Sequence, residues 1–376
     1  MQANLMAERG RGFTVQSVSQ AFRRCVYSIA MWQVYGPALA SALATSAVVF
    51  FFRPLARNFD FIDRPGGRKI HSDEVPVVGG LAMFIGLAVA VSLLPEVVRP
   101  PLTFISIAFV FVFLGLMDDR FSLSPGVRLI VQGGSAAAMA LLGGLTVQFV
   151  GAPFGFGTVI FLPSVAVGVT IVLVVGAVNA LNMVDGIDGL AGSLGFVALL
   201  GIALTAIEGG NASVLGVALA LAGAVAGFLV FNLPLGINRG LRTFMGDAGS
   251  MLIGFTLSWC LVALSQNPDT PLAPVTLLWF VAVPIFDLIS TATGRVRQGY
   301  SPFHADTTHF HHALIQRGLD RALVLVVLVG FAVLWGLVGA FLDARWQVPE
   351  WVSLLGFVLA GIITHVLVRG VGPTSR

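Results

Sequence analysis

The chain has 376 residues, 57% of them hydrophobic and only 10% charged, with a mean hydropathy of +0.93. A soluble domain carries about 25% charged residues, so the composition excludes a soluble globular protein and implies an all-α, polytopic membrane helix bundle. The net charge of +3 gives no reason to expect a nucleic-acid partner, and Cys25 and Cys260 lie in unrelated segments that offer neither zinc spacing nor a disulfide framework.

Residues 1–30 are polar by this chain's standards and carry Arg9, Arg11, Arg23 and Arg24. No apolar core and small-residue cleavage site follow directly, so they are not a signal peptide. Met31 opens WQVYGPALASALATSAVVFFFRP, an aromatic anchor followed by a first span. Residues 1–30 are therefore expected to be a dispensable extension, disordered or foreign to the native protein, and 31–376 a single transmembrane domain. Apolar runs of bilayer-crossing length fall near 34–53, 77–95, 101–117, 127–144, 163–182, 189–207, 212–231, 248–265, 271–292, 322–342 and 350–368. That makes about eleven helices. The alternating, glycine-bearing segment 145–161 between the fourth and fifth spans reads as a small β-hairpin.

Arginine and lysine orient the bundle. With the first span starting outside, one set of loops holds Arg53, Arg57, Arg64, Arg68, Lys69, Arg120, Arg239, Arg242, Arg295, Arg297, Arg317 and Arg369. The other set holds only Arg99 and Arg345, which makes the first set cytoplasmic. The polar clusters DRPGGRKIH, MDDR, NALNMVDGIDGL, FMGDAGS and HADTTHFHH all lie on that side. Loop decoration would be shared between both faces. One-sidedness instead predicts a single composite site at the cytoplasmic membrane surface.

Within these clusters the chemistry is specific. Asp118 and Asp119 end the third span, where adjacent carboxylates repel unless a cation or proton intervenes; neighbours on a helix do not share a face, so one of them is expected to point into a site. In NALNMVDGIDGL, Asn182, Asp185 and Asp188 recur at three-residue spacing and would share one helix face. An N-cap and solvated turn would need one such residue, not several. Carboxylates at a membrane segment are costly and mark function. Asp247, between glycines ahead of the eighth span, suits Mg²⁺, which takes one or two carboxylates plus substrate phosphates; a plain N-cap turn is the alternative. His309, His311 and His312 resemble a zinc site, but flanking Arg295, Arg297 and Arg317 suit phosphate oxygens better. The basic loop with Arg64, Arg68, Lys69 and His71 is also what topology alone would produce. Asp287, inside a span, is expected to be structural, pairing with Arg295 or capping a broken helix.

The motifs DRPGGRKIHSDEVPVVGGLA, GLMDDR, NALNMVDGIDGLAG, RTFMGDAGSMLIGF and VPIFDLISTATGRVRQGYSPFHADTTHFHH run in order from about residue 60 to 315. Together they resemble the polyprenyl-phosphate N-acetylhexosamine-1-phosphate transferase superfamily, glycosyltransferase family 4. Within it, DTTHFHH is similar to the His-x-His-His of WecA-type enzymes rather than the Pro-Ile-His-His-His-Phe run of MraY-type ones, with Phe310 where isoleucine is usual. The resemblance implies a bundle of ten or eleven helices in the bacterial inner membrane, often dimeric, with a cytoplasmic cleft. It implies transfer of N-acetylglucosamine 1-phosphate from UDP-GlcNAc to undecaprenyl phosphate, giving undecaprenyl diphosphate-GlcNAc and UMP, the first step of lipid-linked glycans such as O-antigen. Mg²⁺, or Mn²⁺ in its place, would be held by Asp247 with help from Asn182. Asp118 would be the base or lipid-phosphate contact, with the larger mutational loss, and Asp119 the second carboxylate. Asp185 and Asp188 would belong to the nucleotide-sugar pocket, with Lys69 and His71 on its nucleotide side. His309, His311, His312 and Arg295 would hold phosphates or sugar. Two alternatives stand beside this: the same reaction with another UDP-N-acetylhexosamine, and an ion or solute transporter. The second needs polar groups through the membrane depth, which the outer half lacks.

Overall fold

The structure, a computed structural model, describes residues 15–58, 61–63, 74–234, 240–301 and 308–370. Helices dominate these residues. In chain order they are α1 (Val15–Phe52), α2 (Gly79–Leu93), α3 (Leu102–Phe121), α4 (Pro125–Leu141), α5 (Pro163–Val184), α6 (Leu190–Glu208), α7 (Ala212–Asn232), α8 (Gly246–Ser265), α9 (Pro274–Leu277), α10 (Ala282–Arg297), α11 (Phe310–Gln316), α12 (Arg321–Ala344) and α13 (Glu350–Arg369). The one sheet pairs β1 (Ile62–Asp63) antiparallel with β2 (Val75–Pro76).

Every apolar run in the sequence is a helix here, but not all are full spans. Among the described residues nine stretches are long and apolar enough to cross a membrane, α9 and α10 counting as one through a short 3₁₀ turn. The first of them begins at Trp32, although α1 itself starts at Val15. The runs at 77–95 and 127–144 fall short. At 15 residues α2 is about 22 Å long, less than the roughly 30 Å hydrocarbon layer. The 17-residue α4 carries Arg128 and Gln132, and Gln132 is buried against the bundle. Starts follow ordinary capping chemistry: Ser124, Asn211 and Asp320 each accept a backbone N–H from the residue three further on, opening α4, α7 and α12. Segment 145–161 forms a rudimentary hairpin, with a single bridge between Phe149 and Ile160, tied to the end of α8 by Gln266.

The core is organised around α8, which packs against α2, α3, α5, α6 and α7. In a bilayer, close helix association depends on small residues rather than on hydrophobicity. A Cβ on Gly80 would lie 2.3 Å from the backbone nitrogen of Gly249, and one on Gly115 would lie 2.2 Å from that of Ala248. Thus α2 and α3 touch the first turn of α8 backbone to backbone, and the end of α3 is delivered to the start of α8. A second cluster, built on Trp279, Phe286, Phe310 and Phe357, joins α10, α11, α12 and α13.

Candidate active site

Helix ends, not helix middles, build the site. α3 terminates at Phe121, where Ser122 adopts a left-handed conformation (φ 50°) and donates its N–H to the Asp118 carbonyl. The two acids in its last turn diverge. The Asp118 carboxylate is buried and accepts from Arg128 Nη1 and the Leu123 N–H, both at 2.8 Å. Asp119 turns the other way, onto α8, and accepts from the backbone N–H of Asp247 at 2.9 Å and of Ala248 at 3.5 Å. A helix N-terminus such as that of α8 favours an anion. The anion placed there is Asp119 itself, satisfying donors that the first helical turn leaves open. Gly246 allows it: its φ is 69°, and a Cβ there would lie 2.4 Å from Asp119 Oδ2.

Asp247 follows on the same turn. Its Oδ1 accepts from Asn182 Nδ2 at 2.7 Å, and the same amide nitrogen reaches Ser250 Oγ at 3.0 Å. Asn182 Oδ1 has no partner among the described residues. Asn179, one turn earlier, bonds Gln132 at 2.7 Å and serves helix packing instead. The three-residue spacing of Asn182, Asp185 and Asp188 was expected to place all three on one helix face. The structure corrects this: α5 stops at Val184, and Asp185 to Gly189 form a turn closed by glycines at 186 and 189. Both acids still reach the same space, Asp188 paired with Arg242. Asn232 anchors the turn by accepting the Gly189 N–H at 2.6 Å and donating to the Thr243 carbonyl at 2.8 Å.

These groups enclose a cavity of about 440 Å³, a size suited to a small-molecule ligand. Its acid wall is Asp63, Asp119, Asp185, Asp188 and Asp247; its basic groups are Arg242, Arg321 and His312. Asp118 lies behind this wall, within electrostatic reach of Asp247. Burial, then the carboxylates of Asp247 and Asp188, push Asp185 up to about 7. Five clustered acids, with the Asp185 side chain lacking a hydrogen-bond partner among the described residues, form a site whose charge calls for a cation.

The histidines divide. His312 lines the cavity. His311 is buried with its ring 4.2 Å from that of His312, and its Nε2 stands where a Cβ on Gly186 would be, at 2.0 Å. Burial, then His312 and His309, hold it near 3, so it is neutral. His309 is buried behind both. Its Nδ1 is 2.8 Å from Asp287 Oδ2, and Arg295 Nη2 is 3.4 Å from its Nε2. Asp287 Oδ1 also accepts the Phe310 N–H at 2.7 Å, so Asp287 caps α11 across the bundle. The expected pairing of Asp287 with Arg295 is thus mediated by His309. Among the described residues no three His, Cys, Asp or Glu side chains are grouped to hold a metal by themselves. Lys69 and His71, with Arg64, Arg68, His304 and Asp306, lie outside the described residues.

Asn232, Arg242, Phe244 and Arg321 line the cavity although the sequence did not single them out. Asn232 had a readable signal, an amide ending an apolar run as Asn182 does. Arg242 opens the motif RTFMGDAGSMLIGF, whereas Arg321 had no signal beyond loop charge.

The fold and site define a polytopic membrane protein with a carboxylate-rich cavity at one end of its helix bundle. Residues 101–265 match glycosyl transferase family 4. The chain is 34% identical over 334 residues to an undecaprenyl-phosphate alpha-N-acetylglucosaminyl 1-phosphate transferase of Escherichia coli O157:H7, covering 89% of this chain and 90% of that one. It is 35% identical to the protein so named from Yersinia pestis, over 89% and 91% of the two chains, and 36% identical to that from Salmonella typhi, over 89% and 90%. The chain belongs to glycosyl transferase family 4.

Proposed function

We propose that this protein transfers GlcNAc 1-phosphate from UDP-GlcNAc to undecaprenyl phosphate, releasing UMP and leaving undecaprenyl diphosphate-GlcNAc, the initiating step of a lipid-linked cell-surface glycan such as O-antigen. The observation that carries this is the convergence of Asp119, Asp185, Asp188 and Asp247 with Arg242, Arg321 and His312 around one cavity at the helix ends. The relatives' names supply the substrates. The count of arginine and lysine between loops favours a cytoplasmic face for the cavity, in the inner membrane.

The reaction joins a phosphate oxygen of the lipid to the sugar-bearing phosphorus and breaks that phosphorus's bond to the bridging oxygen, which leaves on UMP. Such a transfer demands positioning and charge neutralisation more than covalent chemistry. The residues fit a hard divalent cation. A site built from one or two carboxylates plus substrate phosphates needs no three-residue protein cluster, and Asp247 offers a carboxylate beside Asn182 Oδ1, which has no partner among the described residues. Bound there, Mg²⁺ or Mn²⁺ would polarise the diphosphate oxygens and neutralise their charge. Asp119 faces the same space and is positioned to receive a proton or repel a wrongly placed anion. Asp118, braced by Arg128, completes the acid pair from behind. Asp185 and Asp188, with Arg242, form the nucleotide-sugar wall; the roles of Lys69 and His71 at the nucleotide rest on the sequence resemblance alone. His312 contacts phosphate or sugar, while His311, His309 and Arg295 hold it in place.

The test is product mass. Membranes carrying the protein, given undecaprenyl phosphate and a mixture of UDP-GlcNAc and UDP-GalNAc labelled with different isotopes, should yield a lipid diphosphate bearing the UDP-GlcNAc label. Incorporation of the UDP-GalNAc label alone would move the assignment to another UDP-N-acetylhexosamine, and no lipid product would defeat the transferase reading.

A further inference from the structure

Segment 145–161 lies at the end of the bundle away from the cavity. From there α5 runs 22 residues to the cavity acids that follow Val184, about 33 Å of helix against a hydrocarbon layer of roughly 30 Å. No charged residue stands between Arg128 and Asp185, so the segment carries none. Two side chains from other helices hold it. Gln266, just past α8, accepts the Gln148 N–H at 2.9 Å and donates to the Phe149 carbonyl at 3.0 Å. Glu350, the first residue of α13, accepts the Ala152 N–H, and Gly151 leaves no room for a Cβ beside that carboxylate. Beyond this clamp the tip, APFGFG at 152–157, projects from the protein. Phe154 and Phe156 are 61% and 85% exposed and stack with ring centres 5.9 Å apart.

The neighbours of the tip show what it faces. Gly155 lies against the indole of Trp351, whose Cδ1 is 3.0 Å from the Cβ position. Trp351 heads an exposed apolar stripe of α13 that continues through Leu355, Leu359 and Ile362 at helical spacing. On a helix of membrane-crossing length such a stripe faces lipid. At the same end Trp346, just past α12, is exposed and meets Phe341 edge-to-face at 5.0 Å. Tryptophans at the ends of spans mark the level where hydrocarbon gives way to headgroups. The phenyl pair therefore sits at the head of a lipid-facing stripe, at the depth the tryptophans mark.

We propose that Phe154 and Phe156 insert into the interfacial layer of the leaflet at this end, which makes the tip a membrane anchor whose partner is a phospholipid surface. Gln266 and Glu350 fix the tip to the bundle, so its insertion helps to set the depth and tilt of the helices, as interfacial aromatic anchors do. The anchor does not depend on which reaction the cavity performs.

The experiment uses the full chain with Cys25→Ser in phosphatidylethanolamine–phosphatidylglycerol nanodiscs, where both bilayer faces are open to reagent; Cys260 is buried and does not compete. Phe156→Cys should react with a polar maleimide about tenfold or more slowly than Asp269→Cys, an exposed loop position at the same end, because a thiol held out of water forms little reactive thiolate. In dodecyl sulfate the two should react alike. In parallel, Phe156→p-benzoylphenylalanine, which keeps the aromatic bulk, should on irradiation give phospholipid adducts by mass spectrometry. Equal maleimide rates in the nanodiscs would put the tip in water. Benzophenone adducts joining two copies of the chain, in place of lipid adducts, would make it a protein interface. Either result would overturn the proposal.

Discussion

Asp118 and Asp119 are neighbours on α3, yet their carboxylates meet different partners. Asp119 faces the cavity and the first turn of α8, whereas Asp118 is spent on Arg128 and the Leu123 N–H. The sequence favours Asp118 for the larger loss of activity; the geometry argues for Asp119. Asp119→Asn should abolish most turnover while the protein accumulates and unfolds normally in detergent. Asp118→Asn should lower thermal stability by roughly 1–3 kcal/mol, the worth of a hydrogen bond to a charged group, with a smaller effect on kcat. Equal losses of kcat at unchanged stability would return both acids to the reaction itself. Gly246→Ala tests the same contact from the backbone. An added methyl collides with Asp119 Oδ2 and sits at a positive φ, so activity should drop toward that of Asp119→Asn. That two adjacent acids would point apart was legible from helix geometry alone. Which one would face the cavity was not, because it depends on where Arg128 of α4 comes to lie.

At the scale of elements, the histidine segment is held from behind by other helices. Asp287 of α10 accepts from His309 Nδ1 and the Phe310 N–H, and Arg369 of α13 reaches Thr291 Oγ1 at 3.0 Å and the Thr308 carbonyl. Asp287→Ala would strand two buried donors at about 1–3 kcal/mol each. It should reduce accumulation and shift the KM for UDP-GlcNAc more than that for the acceptor; Asp287→Asn, which keeps an acceptor oxygen, should recover much of both. Normal KM values in Asp287→Ala would make the clamp irrelevant to the site. Gly186→Ala drives a methyl into His311 Nε2, and a loss of turnover comparable to that of His312→Ala is expected. The helices themselves were readable because bilayer spans need long apolar runs. The turn at 185–189 was misjudged as helix, since three-residue spacing is also what a tight glycine turn can carry. Asp287 looked structural, and its partner His309 stands 22 residues away in sequence, where no local pattern could pair them.

At the scale of the whole molecule, residues of α3, α7, α8, α11 and α12 converge with β1 and three interhelical segments on one polar space, and the described parts of the polar clusters found in the sequence fall to that one end of the bundle. The composite site was legible as a set of motifs, while its inner geometry depends on close approaches such as Gly80 and Gly115 to the start of α8, which no motif announces. A clustered acid wall also predicts that chelation by EDTA stops turnover and that added Mg²⁺ restores it, whereas EDTA should leave the thermal unfolding of the protein nearly unchanged, because the helices around α8 are held backbone to backbone at Gly80 and Gly115. The most direct test of the central claim is UMP release by the purified protein with UDP-GlcNAc and Mg²⁺, with and without undecaprenyl phosphate, in the unsubstituted chain and in Asp247→Ala. The account predicts UMP stoichiometric with GlcNAc-bearing lipid only when both substrates are present, and none from folded Asp247→Ala. Stoichiometric product from Asp247→Ala at the unsubstituted rate would contradict it.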